Sequence, residues 1–296
     1  MISVLIPIYN YNVTSLVKEL HRQLIVNNVV FEIICFEDGS STQNVKINSS
    51  IQELTYTTHI INELNLGRVQ ARQKLCIKAN YNWLLFLDAD VMPKTNQFIK
   101  TYLEQLNKSD LAYFGGIDYK NTKPKDNYVL RWKYGTKKEV VHASQRRKTP
   151  YKQIVSANML IDKDIFYTIN SKINYFGYGM DNFFGSKLKE SNINICHINN
   201  EVYHLGIEES ITYLKKKEQA ADTLLVLIDE KKIDVHDNNL LHVFLTLKKY
   251  KLNYFFASIF KTFKNLMRKN LLSANPSIKL LQFYRITYLC SKDLNA

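Results

Sequence analysis

The chain has 296 residues, of which 46% are hydrophobic and 23% charged, as in an ordinary globular protein with a sizeable core. The formal net charge is +13, and most of the excess lies from Leu241 onward, where eight lysines and two arginines oppose one aspartate. The chain has no C-x-x-C pair, no basic N-terminal region and no run of eighteen uncharged apolar residues, so we expect no zinc or redox motif, no signal peptide and no transmembrane helix.

Short apolar strands alternate with helical patterns in the first third of the chain. Strands that are buried on both faces read as continuous apolar runs, and parallel strands joined by helices produce this alternation. The pattern therefore predicts an α/β fold with a mostly parallel sheet. The predicted strands are Ile2–Ile8, Phe31–Phe36, Thr58–Asn62 and Trp83–Leu87, and the predicted helices run from a cap at Thr14 or Ser15 to Asn27 and from Gly67 to Ala79.

The rest of the chain has a polar middle segment followed by mainly helical patterns. Residues 115–150 are rich in Lys, Arg and Tyr, and we expect them to be irregular. Beyond this segment we predict strands at Ile154–Ile161 and Ile193–His197 and helices at Asp181–Ser191, Glu208–Lys232, Asn239–Arg268 and Ser277–Leu289.

Polar clusters stand where the predicted strands end or the next helix begins. They are Pro7–Asn10, Glu37–Ser40, Asn65–Arg68 and Asp88–Asp90. Ligands of open parallel sheets bind outside the carboxyl ends of the strands, so the clusters predict one shared site. Each cluster alone is a common turn signal, but their order and spacing together are far more specific.

Taken in order, the clusters resemble the motifs of the family 2 glycosyltransferases of the GT-A fold. The P-x-Y-N motif is matched by Pro7–Asn10, and D-D-G-S is matched by Glu37–Ser40, with Glu37 in place of the first Asp. The F-L-D-A-D motif is identical at Phe86–Asp90. The N-x-G-x-x-x-A-R motif is matched at Asn65, Gly67, Ala71 and Arg72.

The resemblance extends downstream and covers roughly residues 1–225. Gly177–Asp181 is similar to G-Y-G-x-E-D, and His204 follows at a suitable distance. The resemblance implies a GT-A fold, with a Rossmann-like, mostly parallel central sheet flanked by helices and a C-terminal helical extension. The implied catalytic domain spans residues 1–235, with a nucleotide-sugar-binding half at 1–110 and an acceptor half at 111–235, and a basic helical extension follows at 236–296.

The resemblance also implies which residues bind the donor. A nucleotide sugar carries a diphosphate, and a divalent cation neutralises the charge that develops when the sugar leaves. Carboxylates suit Mg²⁺ or Mn²⁺, and an imidazole favours Mn²⁺ slightly. The implied cation ligands are Asp88, Asp90 and His204, and the implied donor-binding residues are Pro7, Tyr9, Asn10, Asp38 (on the uracil base), Gly67, Arg72, Asp88 and Ala89. Taken singly, these residues also allow strand-end turns, a structural histidine and a surface ion pair.

Transfer needs a base that takes the proton of the acceptor hydroxyl, and Asp181 is the candidate. The family stretch has Glu then Asp, whereas here Asp181 is followed by Asn182. Asp181 takes the family's Asp position if Gly185 is kept in register, and the Glu position if the upstream glycines are. Both alignments are open, although the first is chemically preferable because Asn cannot act as a base. Asp181 can also cap the following helix.

The implied function is a metal-dependent, inverting glycosyltransferase of the hexosyltransferase type. It moves a sugar from a nucleotide-sugar donor, with UDP favoured over GDP or dTDP, to a saccharide or lipid-linked acceptor. The implied setting is bacterial surface-polysaccharide synthesis on the cytoplasmic side, with or without contact with the inner face of the membrane.

Three further classes of protein are weighed against this interpretation. A nucleotide-sugar-binding or carbohydrate-binding protein without turnover is the alternative, because Glu37, Gln73 and the shortened Asp181 stretch depart from the family pattern. A specific nucleic-acid binder and a nucleotidyltransferase are not favoured, because the sequence has neither a recognisable nucleic-acid-binding pattern nor a Gly-rich phosphate loop near its N-terminus.

Acceptor and surface contacts are less readable from the sequence. Trp132, among cations in Arg131–Tyr134, either stacks on a sugar or is a buried side chain of a solvated loop, and Asn158 is a further candidate contact to donor or acceptor. From Leu240 to Phe263, apolar residues interleave with lysines. Packing within the chain, contact with a second copy in a homo-oligomer and contact with an anionic membrane are all open for this segment.

Overall fold

The structure, a computed structural model, describes residues 1–173, 178–230 and 238–294. The chain forms two compact units. The first unit comprises Met1–Asp118, Lys187–Gly206 and the described part of residues 140–176, and the second comprises Tyr119–Glu139 and the described parts of residues 177–186 and 207–296. Gly177 of the G-Y-G motif and the predicted helix end at Lys232 lie outside the described residues.

The first unit is built on two β-sheets. Its strands, in chain order, are β1 (Ile2–Ile8), β2 (Phe31–Asp38), β3 (Thr57–Asn62), β4 (Trp83–Leu87), β5 (Val91–Pro93), β6 (Ala112–Phe114), β7 (Ile117–Asp118), β8 (Asn158–Asp162), β9 (Ile195–His197) and β10 (Val202–His204). The larger sheet has the order β3-β2-β1-β4-β8-β6-β9, and the smaller has the order β5-β10-β7. In the larger sheet, neighbouring strands are parallel except that β8 runs antiparallel to both β4 and β6.

The apolar runs of the sequence form the centre of the larger sheet. Val4 and Leu5 of β1 and Leu85 and Phe86 of β4 are completely buried. Burying each such side chain contributes about 1.5–3 kcal/mol to stability. The predicted α/β fold with a mostly parallel central sheet is therefore confirmed. The reversed direction of β8 was not predicted, because an apolar run carries no information about strand direction.

Helices connect the strands and continue through the second unit. They are α1 (Thr14–Val26), α2 (Thr42–Asn48), α3 (Arg68–Lys78), α4 (Phe98–Leu103), α5 (Val129–Tyr134), α6 (Ala143–Arg146), α7 (Lys163–Asn170), α8 (Met180–Glu190), α9 (Ser210–Asp229), α10 (Asn239–Lys249), α11 (Asn253–Leu271) and α12 (Ile278–Asp293). Within the first unit, α3 packs against β1, β2 and α7. The predicted cap of α1 at Thr14 or Ser15 is wrong, because the N-cap residue is Val13, whose side chain makes no cap hydrogen bond.

The second unit has an apolar core shared by α5 and α9–α12. Leu130, Leu214, Phe244, Phe260 and Leu281 are among its buried members. The expectation that residues 115–150 are irregular is therefore wrong in part, because α5 falls among them. Helices on both sides of position 235 contribute to this core, and the division into a catalytic domain and an extension stays a prediction.

The C-terminal segment has one more helix than the sequence predicted. The predicted helix Asn239–Arg268 is two helices, α10 and α11, and Lys251 between them has a φ of 59°. This left-handed conformation interrupts helical hydrogen bonding. No helix of the described residues is long and apolar enough to cross a membrane.

Candidate active site

The carboxyl ends of β1, β2 and β4 meet at one edge of the larger sheet. These strands are parallel neighbours, with Ile8 opposite Glu37 and Leu5 opposite Phe86. The polar clusters that follow the strands therefore lie at the same edge. At this edge Tyr9 and Asn10 are exposed, whereas Pro7, Gly67, Asp88, Ala89 and Asp90 are partly exposed and Asp38 is buried.

Close approach of the neighbouring loops depends on Asn10 and Gly39. The Asn10 N–H donates to Ser40 Oγ at 2.9 Å, and Asn10 Oδ1 accepts the Ser41 N–H at 2.8 Å. Gly39 has a φ of +75°, and a Cβ at this position would lie 2.5 Å from the Asn65 nitrogen. The glycine of the D-D-G-S match is thus required both by its backbone conformation and by the neighbouring chain.

Asp38 holds the loop that leads into α3. Its Oδ1 accepts the Leu66 N–H at 2.8 Å, and its Oδ2 accepts the Gly67 N–H at 2.9 Å. The Asn65 side chain donates to the Asp38 carbonyl at 3.0 Å. Each carboxylate oxygen retains a further lone pair. The assignment of Asp38 to the uracil base therefore stays a prediction that depends on those remaining lone pairs.

Glu37, which replaces the first Asp of the motif, has a structural role. It is completely buried, and its Oε1 accepts from Asn48 Nδ2 at 2.7 Å and lies 3.1 Å from His59 Nε2. Burial raises the pKa of this carboxyl, but hydrogen bonds from His59, Ser40 and Asn48 outweigh burial and bring the pKa below its ordinary value. Glu37 therefore stabilises the fold in its ionised form.

Asp88 is held by two arginines of α3. Its Oδ2 accepts from Arg68 at 2.7 Å and its Oδ1 accepts from Arg72 at 2.8 Å. Both arginines also bond Ser156, Arg68 through the hydroxyl at 2.9 Å and Arg72 through the carbonyl at 2.6 Å. Burial raises the pKa of Asp88, but the two positive charges outweigh it and bring the pKa below its ordinary value. Asp88 is thus ionised and fixed in orientation.

Asp90 lies against β10. Because β10 pairs antiparallel with β5, His204 stands opposite Val91, and its Nε2 lies 3.5 Å from Asp90 Oδ2. The Leu205 N–H donates to the Asp90 carbonyl at 2.8 Å. A Cβ on Gly206 would lie 2.2 Å from Asp90 Oδ2, so only glycine allows the chain to pass this carboxylate. Burial raises the pKa of Asp90 above its ordinary value, against the opposing effect of His204.

The donor set at this edge fits a divalent cation that is shared with a substrate. Among the described residues, no group of three or more His, Cys, Asp and Glu side chains is arranged to hold a metal ion. The Asp90 carboxylate and the His204 imidazole are two adjacent donors, and both oxygens of Asp88 already accept from arginine. Mg²⁺ and Mn²⁺ sites that serve phosphate substrates commonly use one or two protein ligands, with phosphate oxygens and water completing the shell.

Two predicted residues belong to the second unit. Asp181 lies in the first turn of α8, and its role as base or as helix cap stays a prediction. Trp132 lies in α5, where its indole N–H donates to the Lys120 carbonyl at 2.9 Å and the side chain is partly exposed. Stacking of Trp132 on an acceptor sugar also stays a prediction.

The structure adds three residues to the site and removes one. Arg68 lies in the predicted cluster Asn65–Arg68 but had no assigned role, although it stands four residues before Arg72 and therefore shares its helix face. Ser156 and Gly206 were missed. Asn158 is completely buried, with Oδ1 accepting from the Tyr102 hydroxyl and Nδ2 donating to two backbone carbonyls. Its amide belongs to the core, so the expectation that Asn158 contacts a ligand is wrong.

Comparison with known proteins places this fold among sugar-transferring enzymes. The sequence model of glycosyl transferase family 2 matches residues 3–169. A comparison with curated protein sequences gave no match. A crystal structure of Staphylococcus aureus TarS 1-349 is 17% identical, with a TM-score of 0.50, over 76% of this chain and 65% of that one. The chain thus spans less than two-thirds of that TarS fragment.

Two further structures share the fold. The glucosyl-3-phosphoglycerate synthase of Mycobacterium tuberculosis, in complex with Mn²⁺, UDP and glucosyl-3-phosphoglycerate, is 14% identical with a TM-score of 0.51, over 76% of this chain and 78% of that one. The mannosyltransferase PcManGT from Pyrobaculum calidifontis, in complex with GDP-Man and Mn²⁺, is 10% identical with a TM-score of 0.59, over 99% of this chain and 86% of that one. At these identities the likeness concerns the fold alone.

The role of Glu37 predicts a pH-dependent loss of stability on neutralisation. We expect Glu37→Gln to lower the free energy of unfolding by about 1–3 kcal/mol at neutral pH, because it weakens charge-assisted hydrogen bonds to buried partners. A carboxyl group whose pKa is lower in the folded state than in the unfolded state stabilises the fold at pH values above its unfolded-state pKa. This contribution is lost as the pH falls through the folded-state pKa. Urea unfolding measures this effect, and the difference in unfolding free energy between Glu37→Gln and the unsubstituted protein should shrink below about pH 4. Glu53→Gln, an exposed control, should have little effect; equal stability of both variants would contradict the assignment.

The close approach of Gly206 to Asp90 predicts a specific defect in ligand binding. Gly206→Ala should displace the Asp90 carboxylate and weaken the stabilisation by Mn²⁺ and UDP together by about tenfold in apparent affinity, since displaced ligands bind poorly. Titration of the thermal midpoint with both ligands measures this effect. Leu205→Ala is the matched control one residue away and should retain binding; an unchanged affinity in Gly206→Ala would exclude the steric argument.

Proposed function

The chain belongs to glycosyl transferase family 2, and we propose that it is a cation-dependent, inverting enzyme that transfers a sugar from a nucleotide-sugar donor. The observation that carries the proposal is the convergence of Asp88, Asp90 and His204 at the carboxyl edge of the sheet, with Arg68 and Arg72 behind Asp88. This arrangement places two carboxylates, an imidazole and two guanidinium groups at the edge where open α/β sheets bind ligands.

We assign the cation to Asp90 and His204. When bound there, a Mn²⁺ or Mg²⁺ ion would neutralise charge on the diphosphate leaving group. Asp90 is suited to this role because burial and the neighbouring Asp88 raise its pKa, and a bound cation would stabilise its ionised form. The synthase from Mycobacterium tuberculosis and PcManGT, which share the fold, are both seen with Mn²⁺ and a nucleotide or nucleotide sugar.

Asp88 has a different role from Asp90 in this proposal. Because both of its oxygens accept from arginine, Asp88 is oriented by Arg68 and Arg72 and presents a fixed negative charge beside the donor site. Its predicted contact with ribose or cation then uses its remaining lone pairs. Arg68 is half-exposed and, unlike the buried Arg72, can also meet a donor phosphate.

The nucleotide is proposed to be UDP. The Asp38 carboxylate can accept the N–H of uracil, while Pro7, Tyr9 and Asn10 line the loop after β1. The synthase from Mycobacterium tuberculosis is seen with UDP, whereas PcManGT is seen with GDP-Man, so neighbours of this fold accommodate either base. The base assignment accordingly depends on Asp38, and GDP or dTDP are the competing outcomes of a nucleotide screen.

The reaction proposed is a single in-line displacement with inversion at the anomeric carbon. Asp181 takes the proton from the acceptor hydroxyl as that oxygen attacks, the bond from the anomeric carbon to the diphosphate breaks, and the electron pair leaves with the nucleotide. No covalent sugar–enzyme intermediate is needed. A hexose moved to a saccharide or lipid-linked acceptor, in bacterial surface-polysaccharide synthesis on the cytoplasmic side, stays a prediction of the family resemblance.

Two departures from the family pattern, Glu37 and Gln73, have structural explanations. Glu37 is a buried anchor for Asn48 and His59, and Gln73 Oε1 accepts from Asn170 Nδ2 at 2.8 Å. Neither substitution removes a group from the edge where the donor is proposed to bind. These two departures therefore give no support to a binding protein without turnover.

Hydrolysis of nucleotide sugars tests the proposal, because these enzymes can use water as a poor acceptor. A panel of UDP-, GDP- and dTDP-sugars with Mn²⁺ should give measurable hydrolysis for at least one donor. Asp90→Ala should reduce this activity by about a hundredfold or more, the scale of a lost transition-state charge interaction. Asp126→Ala, which removes an exposed carboxylate, is the control. Full activity in Asp90→Ala would end the metal assignment.

The same assay separates catalysis from donor binding. Asp181→Asn should retain the thermal stabilisation by nucleotide and Mn²⁺ while its hydrolysis falls by about 10²- to 10⁴-fold, the usual contribution of a general base. Loss of both properties together would assign Asp181 to the structure of α8 rather than to proton transfer.

Contact with an anionic membrane is the second part of the proposal and concerns α11. Apolar side chains spaced three or four residues apart form a line along this helix: Phe255, Phe263 and Leu266 are exposed, with Phe255 62% and Leu266 66% exposed, and Ile259 is partly exposed. The exposed Leu252, which caps the helix, extends the line. The other apolar line of this helix, including Ala257 and Phe260, is buried in the core. Lysines at 251, 261, 264 and 269 complement anionic lipid.

The exposed line of α11 predicts vesicle binding that depends on its side chains. Phe255→Ser/Leu266→Ser should reduce co-sedimentation with phosphatidylcholine vesicles containing phosphatidylglycerol by several-fold, since each buried aromatic or leucine contributes about 1.5–3 kcal/mol. Val26→Ser/Val30→Ser, two exposed valines of the first unit, is the matched control. Equal pelleting of the two variants would contradict membrane contact. If Phe255→Ser/Leu266→Ser instead changes the oligomeric state, a second copy of the chain covers the exposed line of α11.

A further inference from the structure

A basic recess is formed entirely by residues of the second unit. Its volume is about 600 Å³, which is within the range of pockets that bind small ligands. One wall is the end of α5 and the π-helical turn Gly135–Glu139, and the other is the segment before α12 and the start of that helix. The lining residues are Lys133, Lys137, Lys138, Asn275, Pro276, Ser277, Ile278, Lys279 and Gln282.

The recess concentrates positive charge, with no acid among its described lining residues. Four of its lining residues are lysines. The Lys133 ammonium donates to Asn275 Oδ1 at 2.6 Å, which is a neutral acceptor. The acid that follows Lys138, Glu139, accepts instead from Arg131 at 3.0 Å. Several cations around one cavity repel each other, and a bound anion would relieve that repulsion.

Buried contacts hold the turn that carries Lys137 and Lys138. Glu139 accepts from the Tyr119 hydroxyl as well as from Arg131, and the Arg131 guanidinium lies over the Tyr119 ring at 5.3 Å. Burial raises the pKa of Glu139, but the charge of Arg131 outweighs it and brings the pKa below its ordinary value, so the ion pair is maintained. Lysines on an anchored turn lose less conformational freedom on binding than lysines on a mobile loop.

The start of α12 adds to the site that the lysines define. Ser277 caps the helix, with its Oγ accepting the Leu280 N–H at 3.2 Å. Ile278 and Lys279, the first residues of the helix, line the recess. The N–H groups and the dipole at a helix N-terminus favour a negative charge. The backbone and the lysines therefore favour the same kind of ligand.

We propose that this recess binds a phosphomonoester group. Such a group carries close to two negative charges and three acceptor oxygens, which matches several ammonium donors better than the single charge of a carboxylate does. A soluble sugar or glycerol phosphate and a lipid headgroup are the two sources of this chemistry. None of the residues assigned to the donor, the cation or proton transfer lines the recess.

Matched probes distinguish the two sources. Calorimetric titration with sn-glycerol 3-phosphate in EDTA measures a soluble phosphomonoester, and flotation with vesicles containing phosphatidic acid measures the same group on a lipid. Lys137→Gln/Lys138→Gln should weaken binding of the recognised probe by about tenfold, since two partly solvated cations are lost. The control variant Lys46→Gln/Lys100→Gln has the same net charge as Lys137→Gln/Lys138→Gln, but its substitutions are at exposed positions of the first unit. It should bind the probe as the unsubstituted protein does.

The possible outcomes are distinct. Lysine-dependent binding of glycerol phosphate assigns the site to a soluble ester, and lysine-dependent binding of phosphatidic acid in preference to an equal mole fraction of phosphatidylglycerol assigns it to a lipid. Asp90→Ala should retain the binding in either case, which keeps this test independent of the proposed function. The proposal is overturned if the unsubstituted protein binds neither probe, or if the Lys137→Gln/Lys138→Gln variant binds as tightly as the control variant.

Discussion

Two carboxylates at the exit of an apolar strand have to be compensated, because a partly buried charge without a partner is strongly destabilising. Asp88 is compensated by Arg68 and Arg72 of α3, and Asp90 lies 3.5 Å from the His204 imidazole of β10. The partners come from elements that are distant in the chain. The packing of α3 on the sheet and the pairing of β10 with β5 are therefore conditions for these carboxylates to stand where they do, and the proposed donor site is inseparable from the fold around it.

The neighbouring loops are organised by the same requirement that buried polar groups find partners. Asp38 accepts two backbone N–H groups of the loop before α3, and Asn10 accepts one from the loop after β2. Glu37 holds Asn48 and His59 on the buried side. A nucleotide at this edge would meet loops whose backbone is already fixed, and such preorganisation limits the entropy lost on binding. The Glu in place of the motif's first Asp keeps this organisation with one additional methylene.

In the second unit an ion pair anchors a turn that carries positive charge toward a recess. There, Arg131, Glu139 and Tyr119 form a partly buried polar cluster that anchors the turn Gly135–Glu139, and the lysines of this turn line a recess without an acidic lining residue in the described structure. At the edge of the larger sheet two arginines surround the acid Asp88, whereas the lysines of the recess have no acidic residue among the described lining residues. The first arrangement suits a cation shared with a diphosphate, and the second suits a phosphate group that is bound directly.

The sequence by itself determined the elements and motifs that depend on local pattern. Continuous apolar runs identified β1, β2 and β4, helical periodicity identified α1 and α3, and the motif order identified the family and the edge of the sheet to examine. These features are readable because side-chain periodicity and turn chemistry act over a few residues.

The tertiary structure alone decided which side chains meet. It paired Asp88 with Arg68, placed His204 opposite Val91, required glycine at 206 and buried Asn158 in the core. It also reversed β8 and split the predicted helix that begins at Asn239. Strand direction, register and the contacts of a side chain depend on packing between segments far apart in the chain, and no local pattern encodes that packing.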